Sequence, residues 1–240
     1  MTRVTAIPLS ASLCATGSLV NALRGSDLAE TDVVAATDRA RTYSCEFDGV
    51  ATFLLDLPGL DGSKRITEAV MKDLPSTDMV IWTIRANRPA REIDRAVLAY
   101  FHEHFATRPE RRMPPVVVVV TGIDQILRGW PYAENLLSDE AMGLVADVVA
   151  AVAVDIGDNG ARPVPVALVE PEWNTGTLRD RVQAHLGEAL MAQRNRLRVE
   201  NRASLRQEAA RTGRGLRHGL SLIGSRMSPK QKTDDQGDAT

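Results

Sequence analysis

Two acids in this chain stand where strand-borne chemistry would need them. The run FLLDLPGLDG reads as an apolar strand closed by Asp56, with Gly59 three residues on. A carboxylate at a strand end and a glycine amide one turn later can hold a metal ion's water and a terminal phosphate together. A bare D-x-x-G is also an ordinary strand-ending turn with a solvated acid. The second acid closes VVVVVTGID, where Asp124 follows Thr121 by three residues. Its carboxylate can accept two adjacent N–H donors. It also fits a helix N-cap or a loop acid.

A third stretch, SASLCATGSLVNALRG from Ser10 to Gly25, resembles the helix after a phosphate loop in its second half only. Aligned without a gap to G-x-x-x-x-G-K-[ST], Ser10 takes the first glycine position and Ala15 the second. Thr16 takes the lysine and Gly17 the Mg²⁺-binding hydroxyl residue. All four defining positions differ. The motif needs glycine so that backbone amides can surround phosphate, lysine for the β/γ charge, and a hydroxyl for the metal. Thr16 or Ser18 can still offer a hydroxyl, and helix N-terminal amides attract anions.

These residues need a sheet to hold them. RVTAIPLS is a short β-prone run before a helix that ends at Gly25, and Ser26 to Ala40 reads as a loop. TYSCEF and VATFLLDL flank Asp48-Gly49, a two-residue hairpin signal. Ile66 to Leu74 reads as helix and DMVIWTIRA as a buried strand. RPAREIDRAVLAYFHEHF is an amphipathic helix with Ile93, Val97, Tyr100 and Phe101 on one face. PPVVVVVTGID is apolar enough for a central parallel strand covered on both sides. A helix over Met142 to Ile156, a strand ARPVPVALVE and a long helix from near Thr177 follow. One hairpin and then strand–helix units predict a three-layer α/β/α fold with a mostly parallel six-stranded sheet, one antiparallel edge strand and a C-terminal helical extension.

Composition narrows the classes. The 240 residues are 44% hydrophobic with a formal net charge of -2, as in a globular protein without an overall pull toward DNA. Cys14 and Cys45 are too few for a disulfide framework and match no zinc motif. The opening residues do not read as a secretory signal, and a soluble cytoplasmic protein is expected. His102 and His104, at i and i+2 of a helix, point apart, and no nucleophile–histidine–acid grouping or G-x-S-x-G elbow occurs. Trp82 reads as core, and Trp130 and Trp173 as packing residues in loops after strands. From Arg194 to Arg226 nine arginines face two acids, Glu200 and Glu208. Such a segment suits a protein partner or an anionic membrane surface. It holds no aromatic residue for stacking on single-stranded RNA.

The order of SLVNALRG, LLDLPGL, DMVIWTIRANRPAREIDRAVLAYF, RRMPPVVVVVTGIDQI and VPVALVEPEWN resembles a translation-factor-type P-loop GTPase domain. More narrowly, it resembles the Era/dynamin-related, YfjP-like 50S ribosome-binding GTPases, over roughly Arg3 to Leu190. The resemblance implies a GTPase-like domain over 1–190, and the composition after it predicts a basic helical extension over 191–227 and a disordered tail over 228–240. It implies GTP or GDP and Mg²⁺ as ligands if binding is retained. Ala15, Thr16, Gly17 and Ser18 would then face phosphate, Gly59 would meet the terminal phosphate, and Thr121 and Asp124 would meet the base. Ser18, Thr37 and Asp56 would serve the metal, with Thr31 a rival to Thr37 in the first switch. The fifth motif would fall at Ala167-Leu168. Leu60 stands where a water-positioning side chain would follow Gly59.

The leading expectation is a pseudo-GTPase with weak or absent GTP binding and no catalytic residue, acting as a regulatory or scaffold module. Its partner would be a protein or a second copy, with peripheral membrane contact through the basic helix and no DNA. The alternatives are an active Mg²⁺-dependent GTPase, slow or activated on dimerisation, and a remnant of a once-active enzyme.

Overall fold

The computed structural model describes residues 2–8, 15–24, 41–57, 64–88, 91–156 and 162–226. Strand β1 (Thr2–Pro8) precedes helix α1 (Ala15–Arg24). Strands β2 (Arg41–Phe47) and β3 (Val50–Asp56) form a hairpin. Asp48 and Gly49 turn it with φ 48° and 74°, the left-handed pair that a two-residue type I′ turn requires. Helix α2 (Lys64–Asp73), strand β4 (Met79–Arg85) and helix α3 (Glu92–Ala106) follow. Next come strand β5 (Val116–Thr121) and helix α4 (Asp139–Ile156), where the Ser138 hydroxyl accepts from the Ala141 amide at 3.2 Å as a cap. Strand β6 (Val164–Pro165) and helices α5 (Thr175–Ala184) and α6 (Leu186–Arg226) complete the order.

The sheet runs β2-β3-β1-β4-β5-β6, antiparallel only between β2 and β3. Its period-two alternation feeds two cores. Val80, Trp82, Ile84, Val118 and Val120 pack with α2, α3 and α4 on one face. Met79, Ile81, Val117 and Val119 pack with α1, α5 and the start of α6 on the other. The sheet is therefore covered on both sides, which is why β4 and β5 are apolar at successive positions.

Three elements differ from the sequence reading. On α3 the buried residues are Asp94, Val97, Leu98, Phe101 and Phe105, whereas Ile93 and Tyr100 are 40% and 37% exposed. The buried stripe is rotated because a carboxyl, Asp94, occupies a core-facing position that an apolar count overlooks. β6 keeps only two residues of the ten-residue run. Pro163 and Pro165 lack the amides a longer ladder needs, and the Asn174 side-chain amide takes the Pro165 carbonyl at 2.7 Å. The long helix near Thr177 is two helices broken at His185, and α6 continues helical through Gly213, Gly215, Gly219 and Gly224.

The chain divides into two compact units, Met1–Arg196 and Leu197–Thr240. In the first, Asn195 Oδ1 accepts from the Arg112 amide at 2.7 Å and its Nδ2 donates to the Glu110 carbonyl at 3.0 Å. Arg196 pairs with Asp78 through two bonds of 2.9 and 3.0 Å, both residues being buried. Arg196 thus belongs to the interior and not to a solvated arginine face. In the second unit, helical as far as Arg226, residues 201–208 are exposed.

Candidate functional site

Parallel register delivers the chemistry-bearing residues to one edge. Ala6 lies opposite Asp56, Pro8 opposite Thr83, and Arg85 opposite Thr121. Asp56, Arg85 and Thr121 therefore close β3, β4 and β5 at the carboxyl edge of the sheet. α1 begins beyond the same end of β1. The strand order also turns about β1, with β3 on one side and β4 on the other, the place where open α/β sheets bind ligands.

Asp56 is 2% exposed, and its Oδ1 has no hydrogen-bond partner among the described residues. Burial pushes its carboxyl up to about 7, an effect only partly offset by Arg41, its register partner on β2. A buried carboxyl with an orphaned oxygen is held at an energetic cost and fits a partner such as a cation with its bound water. Gly59, Leu60, Thr31, Thr37 and Ser10, named from the sequence, lie outside the described residues.

The second acid sits in a turn built by glycine. Gly122 adopts φ 72° and ψ 30° and caps the short 3₁₀ turn Ile123–Gln125, so the N-cap position is Gly122 and Asp124 lies within the turn. Burial raises the Asp124 carboxyl above its usual range, against its own backbone hydrogen bond and Arg85. Thr121 is buried, and its hydroxyl donates to the Ile84 carbonyl at 3.4 Å.

A pocket of about 60 Å³ joins these groups, lined by Ser18, Arg85, Thr121, Gly122, Asp124, Gln125, Leu168 and Val169. It brings Ser18 of α1 together with the turn after β5 and the segment after β6. Ala15, Thr16 and Gly17 form the first turn of α1. The pocket is far below the ~300–1,000 Å³ of a drug-sized ligand site, so it fits part of a ring system and not a whole nucleotide. Arg85 and Gln125 went unnoticed as site residues in the sequence. Gln125 directly follows the T-G-x-D run, and Arg85 ends the strand of WTIRANRP, so adjacency was the available signal. A larger cavity of about 620 Å³ lies between the loop after β5 and α4, with Arg128, Tyr132, Glu140 and Asp147 on its walls. Trp130 and Trp173 pack against the core cluster, as expected of them. Among the described residues no group of three or more His, Cys, Asp or Glu could hold a metal ion. Nor is any helix among them long and apolar enough to cross a membrane.

The residues fit a guanine nucleotide unevenly. The base end has an acceptor carboxylate in a half-buried pocket, and Asp56 offers a metal shell one orphaned oxygen. At the phosphate end, the sequence places no lysine at Thr16 and no hydroxyl at Gly17. No hydrolytic step follows from these groups.

The open, mostly parallel sheet, with Asp56 closing β3, Asp124 in the turn after β5 and a helix after β1, forms a fold similar to that of small GTPases. No family model matches the chain, and no curated protein matches it in sequence. Solved structures do. Era in complex with MgGDPNP and nucleotides 1506–1542 of 16S ribosomal RNA superposes with a TM-score of 0.51 at 18% identity, over 77% of this chain and 56% of that one. A tyrosine-to-alanine variant of Era from Aquifex aeolicus bound to GDP·AlF4⁻ gives 0.50 at 19% identity, over 76% and 56%. A dimerization-deficient arginine-to-alanine variant of Toc33 from Arabidopsis thaliana gives 0.50 at 15% identity, over 78% and 84%. The chain thus spans little more than half the length of the Era chains it matches. At these identities the likeness is one of fold.

Proposed function

We propose that this chain is a pseudo-GTPase domain that retains the base-reading half of a guanine site and has lost the phosphate-holding half. It binds guanine nucleotide weakly, does not turn it over, and acts as a regulatory or scaffold module. One observation carries this reading: Ser18, Thr121, Gly122 and Asp124 line one pocket at the carboxyl edge of the sheet, while the adjoining first turn of α1 reads Ala15-Thr16-Gly17. Asp124 would accept from N1 and N2 of guanine, and the α1 amides would meet phosphate without a lysine's charge. Era was solved with MgGDPNP, and a similar ligand is the natural probe.

Titration of GTP and GDP, with and without Mg²⁺, tests the reading on wild type and Asp124→Ala. Weak binding that Asp124→Ala abolishes, with no phosphate release, supports it. Tight Mg²⁺-dependent binding with phosphate release would overturn it. So would the absence of any binding to folded protein.

A second reading, a slow Mg²⁺-dependent GTPase with an atypical loop, is favoured by the Asp56 oxygen that has no partner among the described residues at the carboxyl edge of the sheet. The partner of either form would be a protein or a second copy of the chain, with the arginine-rich part of α6 available to an anionic surface. A truncation that tests this helix belongs after Arg196, because an earlier cut deletes the buried partner of Asp78.

A further inference from the structure

Gln125 is a pocket residue whose side chain is oriented by a neighbour outside the pocket. Asn87, in the loop after β4, donates its Nδ2 to Gln125 Oε1 at 2.7 Å. That bond engages one lone pair of Gln125 Oε1 and sets which way the carboxamide faces, with the Nε2 donor pair not used by Asn87. The same carboxamide covers the bare face of Gly122. The point where a Gly122 Cβ would stand is 3.5, 3.6 and 3.8 Å from Gln125 Cδ, Oε1 and Nε2, so the amide lies flat over it. Beside it in the pocket is Asp124, an acceptor when ionised, whose carboxyl burial raises against its own backbone hydrogen bond and Arg85.

The wall therefore presents an acceptor carboxylate next to an oriented donor. A ligand edge complementary to it carries donors next to an acceptor. Guanine carries this order on one edge: N2–H and N1–H, then O6. We propose that Gln125, held by Asn87, donates Nε2–H to O6 of a bound guanine while Asp124 takes N1–H and N2–H. Gln125 is then a specificity-determining residue, and Asn87 a positioning residue that acts through it. This inference rests on the reading of the pocket as a base site.

The experiment compares GDP, 6-thio-GDP and IDP by ligand-observed NMR titration of full-length wild type, Gln125→Ala and Asn87→Ala, with circular dichroism as the check of folding. 6-Thio-GDP keeps N1–H and N2–H but replaces O6 by a weaker sulfur acceptor, and IDP keeps O6 but lacks the N2 amine. Wild type should bind GDP about fivefold more tightly than 6-thio-GDP, the worth of one hydrogen bond. Gln125→Ala should lose that fivefold and bind the two alike, while keeping its preference for GDP over IDP. Asn87→Ala should fall between. If GDP binds and Gln125→Ala keeps the wild-type ratio of GDP to 6-thio-GDP, the role of Gln125 is overturned and the base site stands. If folded wild type binds none of the three, the base site itself fails and this inference falls with it.

Discussion

Replacing Asp56 by Asn should stabilise the protein by an amount that grows with pH. The Asp56 carboxyl titrates at about 7 instead of 3.8 because burial disfavours its charge more than Arg41 favours it. With the folded pKa raised, the folded chain holds the proton more tightly than the unfolded one. The associated stability is present at low pH and is lost as pH climbs from 3.8 through about 7. At about 1.36 kcal/mol per pKa unit, the ionised carboxylate costs about 4 kcal/mol above neutrality, of which about 3 kcal/mol develops between about pH 5 and pH 8. Asn keeps the shape without ionising. Its buried amide carries a penalty of about 1–3 kcal/mol if unpaired, but an equal one at every pH. The quantity to measure is therefore the stability difference between Asp56→Asn and wild type, by urea unfolding, at the two ends of that range. It should move by about 3 kcal/mol in favour of the variant, or about 6–12 °C in Tm for a chain this size. A difference that stays within about 0.5 kcal/mol across that range would refute the reasoning, because Asp56 would then ionise as cheaply as an exposed acid.

Asp94 is buried in the first turn of α3, its Oδ1 has no hydrogen-bond partner among the described residues, and burial raises its carboxyl to about 7 as well. Asp94→Asn should show the same pH-dependent gain in urea unfolding while leaving GDP titrations unchanged, which separates a buried acid from a ligand-facing one. Arg196→Met should cost about 3–5 kcal/mol by removing the buried charge partner of Asp78. The double change Asp78→Leu/Arg196→Met should recover most of that loss in the same assay. On α3, Phe101→Ala should cost about 3–5 kcal/mol and Tyr100→Ser less than about 0.5 kcal/mol, a contrast that thermal melts resolve. Restoring the phosphate end by Ala15→Gly/Thr16→Lys/Gly17→Ser should tighten GDP binding and make it Mg²⁺-dependent in calorimetry. If the triple variant folds and binds no better, the loss lies beyond these three positions.

The sequence made the α/β class and the hairpin legible because both rest on local signals. Asp48-Gly49 can serve a left-handed two-residue turn, and continuous valine in β5 suits only a strand buried on both faces. The ends of elements were less legible because their causes are tertiary. The rotation of α3 depends on a buried acid, and the shortness of β6 on a carbonyl captured by Asn174, nine residues away. Arg196 reads as one more surface arginine until Asp78, 118 positions earlier, is brought against it. Asp124 was visible as a candidate from its place after an apolar strand. Gln125 was not, because its meaning depends on Asn87, 38 residues away in sequence and 2.7 Å away in space.

The two ends of the site place different demands on the chain. On the proposed reading, recognising a base requires a few side chains on rigid elements, here Arg85 at the end of β4 and Asp124 and Gln125 in the short turn after β5. Holding a phosphate requires backbone conformations that only glycine adopts easily, with a cation behind them. On the proposed reading that requirement falls on the residues around the start of α1, and the strands and the face of α1 that packs on them do not depend on it. Leu19, Val20 and Leu23 are buried in α1 just after the altered positions, so packing holds the helix in place whatever precedes it. Asp56 belongs to the other side of this argument, since packing does not explain it. Burial disfavours its ionisation, which an asparagine does not undergo, and binding of Mg²⁺ there would appear as Mg²⁺-dependent stabilisation of wild type at high pH that Asp56→Asn lacks. That one comparison separates a site kept for a metal from a carboxyl merely left behind in the fold.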